Sequence, residues 1–150
     1  MKKSDRPTYL GIDVSKGSLD CCLYNGTEHK TRSFNSNKLS TVQKIITHFK
    51  ISPDSCRVVL EATGVYHSAA FVGFTSQGFD VAVENPLRIH SFAMMKSLLR
   101  TKTDPVDART IAEYGFTNEP APTKPKEAYQ CEVLAKLKLI GFFKKNIAQN

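Results

Sequence analysis

No apolar run in the sequence approaches the roughly 20 residues that a membrane span needs. The basic start, Met-Lys-Lys-Ser-Asp-Arg-Pro, leads into a strand-like segment that carries an acid, so it does not read as a signal peptide. Patterns for zinc are also missing. The four cysteines, Cys21, Cys22, Cys56 and Cys131, contain no Cys-x-x-Cys spacing. Adjacent Cys21 and Cys22 on a strand would point to opposite faces. This argues against a zinc ribbon and a disulfide framework, and fits reduced thiols in a cytoplasmic chain. The four histidines, His29, His48, His67 and His90, include no i, i+4 pair, which excludes a zincin-type site. There is no internal repeat and no low-complexity tract.

What is present suits one globular domain. A chain of 150 residues, 41% hydrophobic and 23% charged, can build a single sizeable core. Lys and Arg number 21 against 14 Asp and Glu, a net +7. A positive field attracts phosphate backbones. A basic protein with no polyanion partner has the same excess, so charge alone does not decide.

Residues Tyr9 to Val14 read as a strand, followed by a Ser-Lys-Gly turn. Leu19 to Tyr24 is a second strand, Asn25-Gly26 signals a two-residue hairpin, and Glu28 to Phe34 is a third. Ser36 to Lys50 carries Leu39, Val42, Ile45, Ile46 and Phe49 at helical spacing, stopped by Pro53 and Asp54. Val58-Val59-Leu60 has the unbroken character of a strand buried on both faces. Tyr66 to Ser76 is predicted helical up to Gly78, and Phe79 to Val83 is predicted as a fifth strand. Asn85-Pro86 opens a helix running to about Leu99.

Asp104-Pro105 looks like an N-cap followed by proline at the first helical position. That helix would bury Ala108, Ile111, Ala112 and Gly115. The order is β-β-β-α-β-α-β-α-α-α, counting a last helix after Lys126. It resembles an α/β, RNase H-like (RuvC-like) architecture, a mixed five-stranded sheet with flanking helices plus a carboxy-terminal helix. The expected organisation is a catalytic domain over residues 1–116 and a proline-rich linker over 117–125. Residues 126–150 would begin a helical segment cut short, with Val133, Leu134, Leu137, Ile140 and Phe143 seeking a partner surface, hence a homo-oligomer.

Four acids stand out. Asp13 ends the first strand and Glu61 ends the fourth, each after apolar residues, where a lone charge is costly to bury. Asp104 and Asp107 are three apart at a helix start and would share one face. Clustered carboxylates raise one another's pKa, and a hard cation such as Mg²⁺ or Mn²⁺ reverses that penalty. Two such ions, roughly 4 Å apart, stabilise both oxygens of an in-line phosphoryl displacement. Each acid also has an ordinary structural reading. Asp104 and Asp107 can serve as N-cap and N3 carboxylate, Asp13 can cap the turn before Lys16, and Glu61 can be a solvated strand-end acid.

Gly11-Ile12-Asp13-Val14-Ser15-Lys16, Leu60-Glu61-Ala62-Thr63-Gly64-Val65-Tyr66, Asn85-Pro86 and Lys102-Thr103-Asp104-Pro105-Val106-Asp107-Ala108 resemble one family in order and spacing. It is the DEDD insertion-sequence transposase and recombinase family, which includes the pilin gene inverting recombinase Piv. The resemblance covers about residues 8–116. It implies an amino-terminal domain similar to the RuvC Holliday-junction resolvase, with catalytic and metal-binding acids at Asp13, Glu61, Asp104 and Asp107. DNA is the implied partner, joined in some members by a structured guide RNA. A second domain bearing a catalytic serine is also implied. No candidate for it is seen in these residues, so recombination by this chain alone is not expected.

Lys16, Arg88, Lys96, Arg100, Lys102 and Arg109 flank the acids and are candidate nucleic-acid contacts, or simply a solvated basic face. Tyr66 and Phe92 suit base stacking or, more simply, core packing. Ser15 has no base beside it and reads as structural. Two rivals remain. An ATPase or sugar kinase of the actin-like superfamily begins with a similar Gly-Ile-Asp strand, but wants a Gly-Thr or Gly-Ser phosphate turn after it, where this chain has Val14-Ser15-Lys16. A non-catalytic nucleic-acid-binding module would bind without metal.

Overall fold

The computed structural model describes residues 6–96 and 106–124. Its elements run β1 (Thr8–Val14), β2 (Leu19–Tyr24), β3 (His29–Phe34), α1 (Leu39–Phe49), β4 (Cys56–Glu61), α2 (Ser68–Ser76), β5 (Val81–Glu84), α3 (Pro86–Lys96) and α4 (Ala108–Asn118). The strands form one sheet in the order β3-β2-β1-β4-β5. β1 lies at its centre, antiparallel to β2 and parallel to β4. This is the mixed five-stranded sheet expected, with β1 and β4 adjacent. None of the described helices is long and apolar enough to cross a membrane.

Alternation along β1 sends side chains to two unlike faces. Leu10, Ile12 and Val14 join Leu19, Cys21, Val58, Leu60 and Val81 in one cluster, which α1 and α2 cover with Val42, Ile45, Phe71 and Phe74. Tyr9 and Val59 point the other way, against Ile89 of α3 and Ile111 and Tyr114 of α4. Cys22 meets Ala108 and Ala112 on that same face. Cys21 and Cys22 therefore do lie on opposite faces. On the second face α4 rests on bare backbone, because a Cβ at Gly11 would lie 2.3 Å from the Ala112 nitrogen and 2.5 Å from the Ala108 oxygen.

Several boundaries differ from the sequence reading, each for a local reason. The β2–β3 turn is centred on Gly26 and Thr27 rather than on Asn25-Gly26. The Asn25 side chain accepts the backbone N–H groups of Thr27 (2.9 Å) and Glu28 (2.7 Å). Gly26 has φ +101°, and a Cβ there would strike the Phe116 ring at 2.7 Å. α1 stops at left-handed Lys50, ahead of Pro53. Phe79 is not in β5; it packs edge-on against Phe74 with centroids 5.6 Å apart.

The largest correction concerns the last described helix. Asp107, not Asp104, is its N-cap: the Asp107 side chain accepts the Thr110 N–H, and Ala108 is the first helical residue. Asp107 is extended and outside the helix, so it is not on a helical face of α4 as expected; Asp104 lies outside the described residues. The expected buried positions Ala108, Ile111, Ala112 and Gly115 are all buried. α4 continues to Asn118, two residues beyond position 116. The chain then runs along the β5 edge, where Thr123 donates its N–H to the Val81 carbonyl and accepts the Val83 N–H on its hydroxyl, both at 2.8 Å. The continuation of α3 towards Leu99 and the helix expected after Lys126 lie outside the described residues.

Candidate active site

Strand register assembles the acids. Asp13 on β1 sits opposite Asp20 on β2. The pairing of Ile12 with Leu60 puts Asp13 level with Glu61, and Glu61 pairs with Glu84 on β5. Residues in register share a face, and the flanking Ile12, Leu19, Cys21, Leu60 and Val83 all serve the α1/α2 core. Four carboxylates therefore cross four strands at one level, on the face beneath α3 and α4. The N-cap position brings Asp107 to the same region, and its Oδ1 accepts the Thr110 N–H and hydroxyl, each at 2.9 Å. Asp104 lies outside the described residues.

Sequence reading missed Asp20 and Glu84. Nothing local marks them, since only register lines them up with Asp13 and Glu61. Glu84 is already engaged, 3.9 Å from Arg88, and, after burial, its charge helps to raise the Tyr114 hydroxyl. Asp20 is exposed.

The row has an electrostatic cost. Burial, then the charges of Glu61, Asp20 and Asp107, push the Asp13 carboxyl up to about 6. Burial also raises Glu61, against the opposing pull of His90 on α3. Asp13, Asp20, Asp107 and Arg109 line a cleft of about 440 Å³, with Thr31 and Ser33 of β3 on its far wall. The donors are all oxygens, and without a cation Asp13 holds its proton up to about pH 6, which suits a hard-cation site. Among the described residues no three acids, histidines or cysteines stand close enough together to form a metal cluster. The chemistry of the donors fits a divalent ion; the set is incomplete without further ligands.

The six basic candidates separate. Arg109, in the first turn of α4, lines the acidic cleft. Lys16 is exposed in the turn after β1. Arg88 and Lys96 line a different groove, between α3 and α4, with Leu87, Met95 and Tyr114. Each faces a carboxylate, Arg88 that of Glu84 at 3.9 Å and Lys96 that of Glu113 at 2.6 Å. Arg100 and Lys102 lie outside the described residues. Phe92 packs edge-on against Tyr114 at 5.6 Å, while Tyr66 is exposed. The turn after Asp13 closes on itself, with the Ser15 N–H donating to the Ser18 carbonyl at 3.0 Å and the two hydroxyls 2.6 Å apart. Ser15 is thereby structural. Cys21, Cys22 and Cys56 are buried, and burial pushes the thiols of Cys22 and Cys56 up to about 11. They are not thiolates at neutral pH.

Comparison with known proteins places this arrangement. A family model described as a transposase, of the DEDD IS110 type, matches residues 10–138. The pilin gene-inverting proteins of Moraxella lacunata and Moraxella bovis are each 32% identical over 136 residues, covering 87% of this chain. The chain spans 41% of the length of each of these relatives. Among solved structures, T. thermophilus RuvC in complex with a Holliday junction substrate superimposes with a TM-score of 0.54 at 13% identity. That match covers 79% of this chain and 100% of RuvC, so the fold is RNase H-like. With a mixed sheet of the RuvC kind, and a family match running through nearly all of it, this chain belongs to the DEDD transposase family.

Proposed function

We propose that this chain is the amino-terminal catalytic domain of a DNA transposase or site-specific recombinase, whose acids support metal-dependent phosphoryl transfer on DNA. The observation that carries the reading is that register sets Asp13 level with Glu61 at one end of the sheet, within reach of the charge of Asp107. There Asp13 is held near pKa 6 by burial and by its acidic neighbours.

Asp13, Glu61 and Asp107, with Asp104, are the residues that would hold Mg²⁺ or Mn²⁺. When bound, such ions neutralise charge on the transferred phosphoryl group and activate its nucleophile. The chain's own contribution is placement. β1 and β4 fix Asp13 and Glu61 by register, and the α4 cap fixes Asp107 through Thr110. Lys16, Arg88, Lys96, Arg100, Lys102 and Arg109 are proposed to meet DNA phosphates, with Arg109 nearest the chemistry. A guide RNA, and self-association through residues 126–150, belong to the same proposal.

The test is a thermal melt with and without Mn²⁺. Ions that bind the folded state alone raise the melting temperature by mass action. Asp13→Asn is expected to abolish that rise, and a full metal response in this variant would refute the assignment. On supercoiled DNA the chain is expected to give at most weak Mn²⁺-dependent nicking, because the resemblance places a required serine in another domain. Efficient strand exchange by these 150 residues would overturn that division.

A further inference from the structure

We infer that the trough between the first turn of α4 and the edge strand β3 seats a phosphodiester of the nucleic-acid strand entering the acidic site, held by Arg109 from one wall and by the Thr31 and Ser33 hydroxyls from the other. This rests on the nucleic-acid reading above and gives it a location.

The register supplies the geometry. Thr31 pairs with Cys22 and Ser33 with Asp20, so both hydroxyls share the α4 face of the sheet. Both are exposed, and neither has a hydrogen-bond partner among the described residues. They line the cleft of about 440 Å³ whose opposite wall is Ala108, Arg109 and Asp107.

Arg109 is misplaced by the rules of helix stability. As the second residue of α4 it puts a cation at the positive end of the helix dipole, and the first turn holds no acid. It has no carboxylate partner among the described residues, whereas Arg88 and Lys96 each have one. Its contact is with a histidine. Nη2 lies 3.4 Å from Nδ1 of His29, whose Nε2 is 2.8 Å from Glu113 Oε1. If Nε2–H donates to Glu113, Nδ1 is left free to accept from Arg109. This steers the guanidinium over β3 and spares most of its five donors. A guanidinium facing two unused hydroxyls across an open trough matches a phosphate in charge and in hydrogen bonding. Asp20 lies at the acid end of the trough and opposes a phosphate there, so its removal has the opposite sign.

The experiment is fluorescence anisotropy of short labelled duplex and single-stranded DNA with the whole chain in EDTA, across a salt series. Folding of each variant is checked by its melt. A wild-type log–log slope is expected, and Arg109→Gln should flatten it by up to about 0.9 on duplex. Thr31→Val and Ser33→Ala should weaken binding a few-fold with the slope unchanged, because they remove donors but no charge. Asp20→Asn should tighten binding. Lys44→Gln, on α1 across the sheet, controls for loss of one charge. If Arg109→Gln changes binding no more than Lys44→Gln does, the trough is refuted while general nucleic-acid binding stands. If the wild-type chain shows no salt-dependent binding, both fall.

Discussion

The two faces of the sheet are built by different means. Under α1 and α2 a single apolar cluster fills the space from Leu19 to Val81, and its largest members, such as Phe74 and Ile45, are fully buried. Under α3 and α4 the apolar contacts split into two small clusters, and the strand ends carry carboxylates instead. Contact there is by close backbone approach, with Gly11 against Ala108 and Ala112. On the first face the tight glycine is Gly73, and a Cβ there would meet side chains rather than backbone, Val42 at 2.5 Å and Leu39 at 3.4 Å. One face supplies stability through buried bulk. The other gives up bulk to bring charged groups and a helix start to one place, as functional sites commonly do.

Mutations that hit each face alone would break this comparison or sharpen it. Phe74→Ala should cost about 4 kcal/mol in urea denaturation and leave any Mn²⁺ response of the remaining folded protein intact. Gly11→Ala adds only a methyl, but against helix backbone, and should cost about 3 kcal/mol. It should also remove the Mn²⁺ response, because α4 and its Asp107 cap must move. Wild-type stability in Gly11→Ala would show that the close approach is not needed.

Asp13 and Asp107 should then respond with opposite signs in metal-free buffer. A folded pKa of about 6 against an ordinary 3.8 means that the folded chain holds the Asp13 proton between those values. Above pH 6 the charged carboxyl burdens the folded state, and stability rises as pH falls towards 4. Asp13→Asn should stabilise the chain by roughly 1 kcal/mol at pH 7, discounted for the water that reaches the group. The benefit should vanish near pH 4. Asp107→Ala loses the α4 cap and should destabilise by about 1 kcal/mol. Melts of both variants at the two pH values decide it, and a stabilising Asp107→Ala would mean the cap contributes little.

The smallest effect belongs to the groove between α3 and α4. Arg88 is 73% exposed and 3.9 Å from its carboxylate, so Arg88→Ala should change stability by less than about 0.5 kcal/mol. A larger loss would give this second groove a structural role that its open ion pairs do not suggest.

Local pattern made much of this legible. Alternation and apolar runs marked all five strands, the spacing of Val42 and Ile45 marked α1, and the positions of Asp13 and Glu61 after apolar strands marked the acids. The Asp13, Glu61 and Asp104-to-Asp107 motifs carried the family resemblance. None of this depends on distant residues. The rest does. Asp20 and Glu84 joined the row only when strands paired, because register is set by hydrogen bonds between segments remote in sequence, and a slip of one residue would turn each side chain to the other face. Helix α4 begins at Ala108 because Asp107 finds Thr110 as a capping partner and Gly11 lets the helix down onto β1. The basic residues, alike in sequence, parted when folding gave Arg88 and Lys96 carboxylates and turned Arg109 towards His29 and β3. Sequence determined which groups were available and the elements that carry them; tertiary structure decided which of them meet, because charge and hydrogen bonding act over a few ångströms in space, whatever the separation along the chain.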